Sequence, residues 1–473
     1  MESPHIAALR ISRQANTKQF SPSSLLILAH TTQHTDHSPL ATHYTPSCHT
    51  HLPLPSLRAS LTMPTATTLP QDIVDDVAII GGGIAGMALA LALNAHAIPA
   101  TIYESRDAVP LPHHAGGGMM LCPNALRILE SLGVYEPLLE KAYSFDYVYY
   151  KDRDEVTVDR YPLGGQAEFG FDAVRIFRQE LIEILAGACR ARGVEVRYGK
   201  RFMKVVGEDD TGVEFEFADG ERRRAGLLVG ADGIHSRVRS SHVAPEAKPG
   251  FVGLAALTYA VPTAQLRVPE DKDYKFPVSV ASGNGVFVLA PQGREGGEML
   301  AGTQVPFDAD KASLPREALM ADKEALKARL RLNEEAWPGL VRSALEGIRD
   351  ETMNVWPFFM LPALERWASQ GGAGRVLVLG DAAHAIPPTT GQGASMALED
   401  AASLALVVKR VRESSGKIGW EEGMLNNKRL PSDEMAKLPR EEVWFEEGEG
   451  QMKWLYVPEI EKQVEEWVKG KLQ

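Results

Sequence analysis

Val74-Asp-Asp-Val-Ala-Ile-Ile80, followed by Gly81-Gly82-Gly83-Ile84-Ala85-Gly86, is the stretch of this chain that decides its fold. The first part is a short, apolar, β-branched run of the kind that forms a strand buried on both faces. The second is a Gly-x-Gly-x-x-Gly turn, and the Ala/Leu-rich run Met87–Ala97 after it reads as a helix. A second strand, Pro99-Ala-Thr-Ile-Tyr-Glu104, ends on an acid 21 residues beyond Gly83. Strand, glycine turn, helix, strand and acid at this spacing make the fingerprint of a dinucleotide-binding βαβ unit. Gly81 permits the tight turn, Gly83 lets backbone approach a pyrophosphate, and Gly86 lets the helix pack on the strand. The helix N-terminus offers unpaired N–H groups and a positive dipole end to the phosphates. Glu104 can accept hydrogen bonds from both ribose hydroxyls, and its charge disfavours a 2′-phosphate. FAD or NAD is therefore expected here rather than NADP.

Two more motifs follow. Gly226-Leu-Leu-Val-Gly-Ala-Asp232-Gly233-Ile-His-Ser-Arg237 is an apolar strand running into an acid–glycine turn. Arg375-Val-Leu-Val-Leu-Gly380-Asp381-Ala-Ala-His384-Ala-Ile-Pro-Pro388 leads through Thr-Thr-Gly391-Gln392-Gly393-Ala394 to a helix opening at Gly393. His384 could serve as a base but more naturally braces the turn, and Glu399 and Asp400 read as helix-face charges or packing partners.

In this order the three motifs resemble the single-component FAD-dependent monooxygenases of the aromatic-hydroxylase type, the salicylate-hydroxylase-like group with the PHBH fold. The resemblance covers about Val74–Val408. It implies an α/β fold in which a Rossmann-like FAD-binding domain is interleaved with a mixed or antiparallel β-sheet substrate domain. It also implies that Asp381 bonds the ribitol or pyrophosphate side of FAD. The backbone of Gly391, Gln392, Gly393 and Ala394 would face the flavin's pyrimidine edge, where a helix N-terminus stabilises negative charge. Asp232 would lie by the pyrophosphate groove. Arg178 takes the place of the family's FAD-contacting arginine, in a run from Arg175 that reads as the opening of a helix, with Arg175 as the alternative. Gly118, in Gly116-Gly117-Gly118-Met119-Met120-Leu-Cys-Pro-Asn124, would border the flavin ring.

The activity implied is transfer of one oxygen atom from O2, through a flavin C4a-hydroperoxide, to a small organic substrate. Hydroxylation or epoxidation of an aromatic or a polyketide- or terpenoid-like molecule would follow. Non-covalent FAD would be reduced by transiently bound NADPH or NADH, NADPH being the family habit. The rival readings are an FAD-dependent oxidoreductase without oxygen insertion and an inactive flavin-binding paralogue. Members often carry an aromatic–Arg pair in the strand after the middle motif. Leu257 and Thr258 stand there, which argues against a simple phenol, and Tyr259 is the one weak catalytic candidate.

Domain limits follow from these segments. Residues 71–141, 175–245 and 371–412 form the discontinuous FAD-binding domain, 142–174 and 246–370 the substrate domain, and 413–473 a C-terminal helical arm. In the substrate domain, turns are expected at Gly283–Gly285 and Gly293–Gly297, with a largely helical stretch over Lys311–Leu345.

The whole chain has 473 residues, 44% of them hydrophobic, with 50 Lys+Arg against 62 Asp+Glu. That length suits two domains, and the net charge of −12 argues against nucleic acid as a partner. Three cysteines without CxxC spacing build neither a disulfide framework nor a zinc site, and no metal is expected. Residues 1–70 read as a disordered or targeting-like extension. Seven of the thirteen histidines fall before Met63, in a segment of charge +2 that leaves −14 for the rest. Its longest apolar run, Leu25–Ala29, is too short for a signal peptide or a membrane span. A cytoplasmic location is expected ahead of mitochondrial import, with the protein a monomer or homodimer.

Overall fold

Strand Val77–Ile80 lies at the centre of a five-stranded sheet, buried along its whole length. The sheet order is Val376–Val378, Leu227–Gly230, Val77–Ile80, Ala100–Tyr103, Glu195–Arg197, and every pairing is parallel. A parallel sheet needs cover on both faces, which is why Val77–Ile80, Leu227–Gly230 and Val376–Val378 are continuous apolar runs rather than alternating ones. Helix Ile84–Ala95 supplies part of that cover and packs against the long helix Gly393–Glu413. The computed structural model describes residues 76–107, 117–370, 374–414 and 458–472. The expected extension 1–70 and residues 415–457 of the expected arm lie outside the described residues. Helix Ile460–Leu472, inside them, packs against Gly393–Glu413 and pairs Glu465 with Arg410.

The second large sheet has seven strands, in the order Asn354–Met360, Gly250–Pro262, Glu298–Pro306, Gly285–Gln292, Val278–Ser282, Tyr147–Lys151, Thr157–Pro162. Its pairs are antiparallel except that Val278–Ser282 runs parallel to Tyr147–Lys151, so the sheet is mixed. Alternation now governs. Leu257, Tyr259 and Val261 point into a core shared with Trp337, Leu340, Val341 and Ala344. Ala256 and Thr258, on the opposite face, are only partly buried. The expected helical stretch 311–345 is broken into Arg316–Leu319, Lys323–Leu330 and Gly339–Glu346. Pro315 and Pro338 immediately precede the first and last of these helices, where a missing N–H costs nothing.

A three-stranded sheet joins the two bodies, with Ala173–Phe177 between Gly118–Leu121 and Tyr143–Phe145. Arg175 therefore lies mid-strand and does not open a helix; the helix begins at Arg178. Two flanking strands claim the backbone hydrogen bonds up to Phe177, and the chain can coil only after clearing them. The segment 142–174, expected as one piece of the second domain, is split by the same pairing: Tyr143–Phe145 belongs to this small sheet.

Candidate functional site

The glycine turn separates two demands. A Cβ on Gly81 would lie 2.4 Å from the Ala231 carbonyl oxygen, and φ is +111° there. A Cβ on Gly86 would lie 2.0 Å from the Gly81 carbonyl oxygen. Both glycines are therefore required by the fold itself. At Gly83, by contrast, nothing comes within 4 Å of an added Cβ. Helix Ile84–Ala95 starts beside that open space with no side-chain cap on its first N–H groups. Space, uncapped N–H groups and dipole together suit a pyrophosphate.

Glu104 is 6% exposed. Its Oε2 accepts the Gly82 N–H at 2.7 Å, and its Oε1 accepts the Arg106 N–H at 2.8 Å and Nε–H at 3.0 Å. Burial pushes its pKa up, but these bonds outweigh burial and hold the carboxyl below the usual range. It is thus an anion that fixes the turn.

Asp232 abuts the same turn, its Cα 3.0 Å from where a Gly81 Cβ would sit. Its Oδ2 accepts from the Arg237 and Val238 N–H groups at 2.7 and 3.3 Å, and its buried Oδ1 has no partner among the described residues. Burial raises its pKa. Arg178 donates its backbone N–H to the Gly117 carbonyl at 3.0 Å. Burial lowers its pKa, while the field of Asp381 favours its charged form and that of Arg106 opposes it. Arg178 therefore lies within the field of Asp381 in the third motif and of Arg106 beside Glu104. Arg175, the sequence alternative, points elsewhere.

The third motif turns on Gly380, whose φ is +59°. Fully buried Asp400 accepts the Gly380 N–H at 2.8 Å and sits 2.6 Å from His384 Nε2 through the same Oδ2. Burial would lower the His384 pKa, but Asp400 reverses the shift and raises it. His384 is thus tied into the turn as a brace. Asp381 stays partly exposed, with Oδ1 3.9 Å from where a Gly393 Cβ would lie. The loop continues to Gly391 (φ +66°), whose Cβ would collide with Met120 Cε at 2.3 Å. Met120 belongs to the strand opened by Gly118, and Gly118 itself lies under the Gln292 side chain. Gly393 and Ala394 start the long helix, whose first turn also lacks a side-chain cap.

Glu399 and Asp400 are packing partners and not surface charges. Glu399 is 2% exposed, accepts from Asn124 Nδ2 at 2.7 Å, and is pushed by burial up to about 7. The same Nδ2 reaches Gln392 Oε1 at 3.4 Å. Asn124 went unassigned in the sequence because a lone asparagine after Pro123 has no periodic signature.

Tyr259 has to be corrected. It is 1% exposed, packed in the core between the seven-stranded sheet and its helices, and its hydroxyl has no partner. Its place on the strand, in phase with Leu257 and Val261, puts it on the side covered by the helices. Burial drives its pKa far up. Sequence alone leaves the strand's phase open, so the wrong face was an equal choice.

The loops of three separate strand–turn units thus meet at one end of the parallel sheet, as a dinucleotide-binding flavoprotein requires. A family model described as an FAD binding domain matches residues 75–417, and the chain belongs to that family. It is 28% identical over 387 residues to the 6-hydroxynicotinate 3-monooxygenase of Pseudomonas fluorescens, covering 79% of this chain and 92% of that protein. It is 30% identical over 363 residues to the salicylate hydroxylase of Pseudomonas putida, covering 72% of this chain and 79% of that one. The crystal structure of CtdE in complex with FAD superposes with a TM-score of 0.62 at 21% identity, over 84% of this chain and 99% of that one. The chain is an FAD-dependent monooxygenase of the PHBH-type fold. No helix among the described residues is long and apolar enough to cross a membrane.

Proposed function

We propose that this protein uses NADPH or NADH together with O2 to place one oxygen atom on a small aromatic substrate held between the third-motif loop and the seven-stranded sheet. The observation that supports the reading is the meeting of the first and third motifs: a Cβ on Gly380 would lie 3.3 Å from Ala85 in the helix that opens after Gly83, Asp381 lies beside the Gly393 helix start, and Arg178 lies in the field of Asp381. The names of the relatives, a hydroxynicotinate monooxygenase and a salicylate hydroxylase, support aromatic hydroxylation as the reaction class.

When bound, FAD supplies the redox chemistry with oxygen. The chain's own residues do the rest. The N–H groups opening helix Ile84–Ala95 receive the pyrophosphate at Gly83, Glu104 takes the ribose hydroxyls, and Arg178 offsets phosphate charge. The uncapped start of helix Gly393–Glu413, at Gly393 and Ala394, stabilises negative charge developing on the ring side, with Gly391 allowing close approach. Asp381 orients the chain between ring and phosphates. The parallel-sheet body is then the cofactor domain, and the inner face of the seven-stranded sheet is the roof that excludes water. A cytoplasmic setting and a monomeric or homodimeric state belong to the same reading; the described cysteines, Cys122 and Cys189, are buried free thiols that suit a reducing compartment.

The test is turnover under 18O2 with NADPH and NADH across a panel of hydroxybenzoates, hydroxypyridines and larger fused aromatics. One 18O atom in a product, coupled to nucleotide oxidation, is the expected result. Nucleotide oxidation without labelled product across the panel would transfer the protein to the dehydrogenase class.

A further inference from the structure

Arg175 has no place in the cofactor assignments above. It is 8% exposed, and its Nε has no hydrogen-bond partner among the described residues. Burial alone brings its pKa down to about 10, so it remains a cation at neutral pH. An isolated buried cation is strongly disfavoured unless something pairs with it.

Its direction is set by strand alternation. Val174 and Ile176 point into the core of the parallel-sheet body, so Arg175 between them points out of that body. Its cross-strand neighbours on the outward face are Met120 and Tyr143. Met120 reaches the Gly391 turn, and the Tyr143 ring lies against Gly296 at the end of the seven-stranded sheet. Arg175 is therefore bracketed by the third-motif loop on one side and the second sheet on the other. A second unsatisfied group stands at the same seam. Gln292 is 2% exposed, lies over Gly118 next to Met119 and Met120, and leaves its Oε1 without a donor.

We propose that Arg175 is a built anion subsite of the substrate cleft, taking a carboxylate or phenolate oxygen on the aromatic substrate, with Gln292 Oε1 accepting from a neighbouring hydroxyl or N–H. A guanidinium presents a planar fork of donors that matches either oxyanion. This rests on the proposed function, since it names the class of molecule that the same cleft accepts.

The experiment measures binding to the FAD-loaded protein without nucleotide or turnover, by calorimetry and by perturbation of flavin absorbance. Benzoate against benzamide probes the carboxylate; 4-nitrophenolate against 4-nitroanisole probes the phenolate. The charged member of at least one pair should bind about 10- to 100-fold more tightly than its neutral partner. Arg175→Met should abolish that preference while FAD content and the affinity for benzamide stay as they were, and Arg175→Lys should restore part of it. Equal binding of charged and neutral members in both arms overturns the proposal, and this arm needs only the natural protein. Loss of FAD from Arg175→Met, with ligand preference intact, overturns it in favour of a cofactor contact. An anion preference that persists although no labelled product forms leaves the subsite standing and removes the oxygenation reading alone.

Discussion

Under the third motif, Asp400 is completely buried and holds both the Gly380 N–H and His384; at the seam beside the seven-stranded sheet, Arg175 is nearly as buried and its Nε holds nothing. Glu399, one residue before Asp400, likewise has Asn124 to bond it. The contrast separates two uses of buried charge. Where the chain supplies both partners, the charge fixes a turn. Where it supplies one, the subsite proposed above leaves the other to a ligand. The glycine turn repeats the lesson without charge, since Gly81 and Gly86 are filled against by the chain while Gly83 faces open space.

That comparison can be broken at several points. The largest effect should come from Asp400→Ala, which strips the acceptor from His384 and from the Gly380 N–H inside the core. Removing one partner of a buried pair costs about 3–5 kcal/mol, and denaturant unfolding of the apoprotein should register it along with lost FAD. A smaller cost on this scale would mean that the turn does not depend on its buried acid.

Next come the two glycines. Gly86→Ala must displace backbone and should destabilise the apoprotein by about 1–3 kcal/mol. Gly83→Ala should leave apoprotein stability within about 0.5 kcal/mol yet weaken FAD retention. If both variants lost stability equally, the distinction between fold-required and ligand-required glycine would fail.

The third test is pH. Glu399 titrates near 7 in the folded chain, above an unfolded carboxyl. The folded state then binds the extra proton, so stability is full below the unfolded pKa and falls as pH rises through 7. The loss between about pH 5 and 8 is of order 1–3 kcal/mol by linkage. Glu399→Gln should remove that component and raise the melting temperature at pH 8. An unchanged pH slope would show that Glu399 is ionised throughout, with Asn124 sufficient to hold the charge. Smallest of all, Tyr259→Phe removes a hydroxyl without a partner and should change stability by less than about 1 kcal/mol, with ligand binding untouched.

Much of the nucleotide half was legible because its signals are local. A strand, a turn that only glycine can make and a helix start are neighbours in sequence, and each imposes a residue type at a fixed spacing. Glu104 could be placed for the same reason, although its bonds to Gly82 and Arg106 could not. Glu399 and Asp400 resisted because burial of a helix face depends on what packs there, and Asn124 lies 275 residues away from Glu399. Tyr259 stayed open between pocket and core for a subtler reason: a strand's period of two shows that alternate residues share a face but not which face is the cleft.

Arg175 marks the boundary between the two kinds of knowledge. The sequence by itself determined a dinucleotide-binding βαβ unit, three cofactor motifs and a second body rich in strands, because short-range sterics and hydrophobic periodicity dictate them. Only the tertiary structure decided that Ala173–Phe177 is a strand between two others, which of its side chains leave the core, and that one of them, Arg175, keeps a buried Nε without a partner among the described residues. Pairing of distant strands sets that outcome, and no window of local sequence contains the partners.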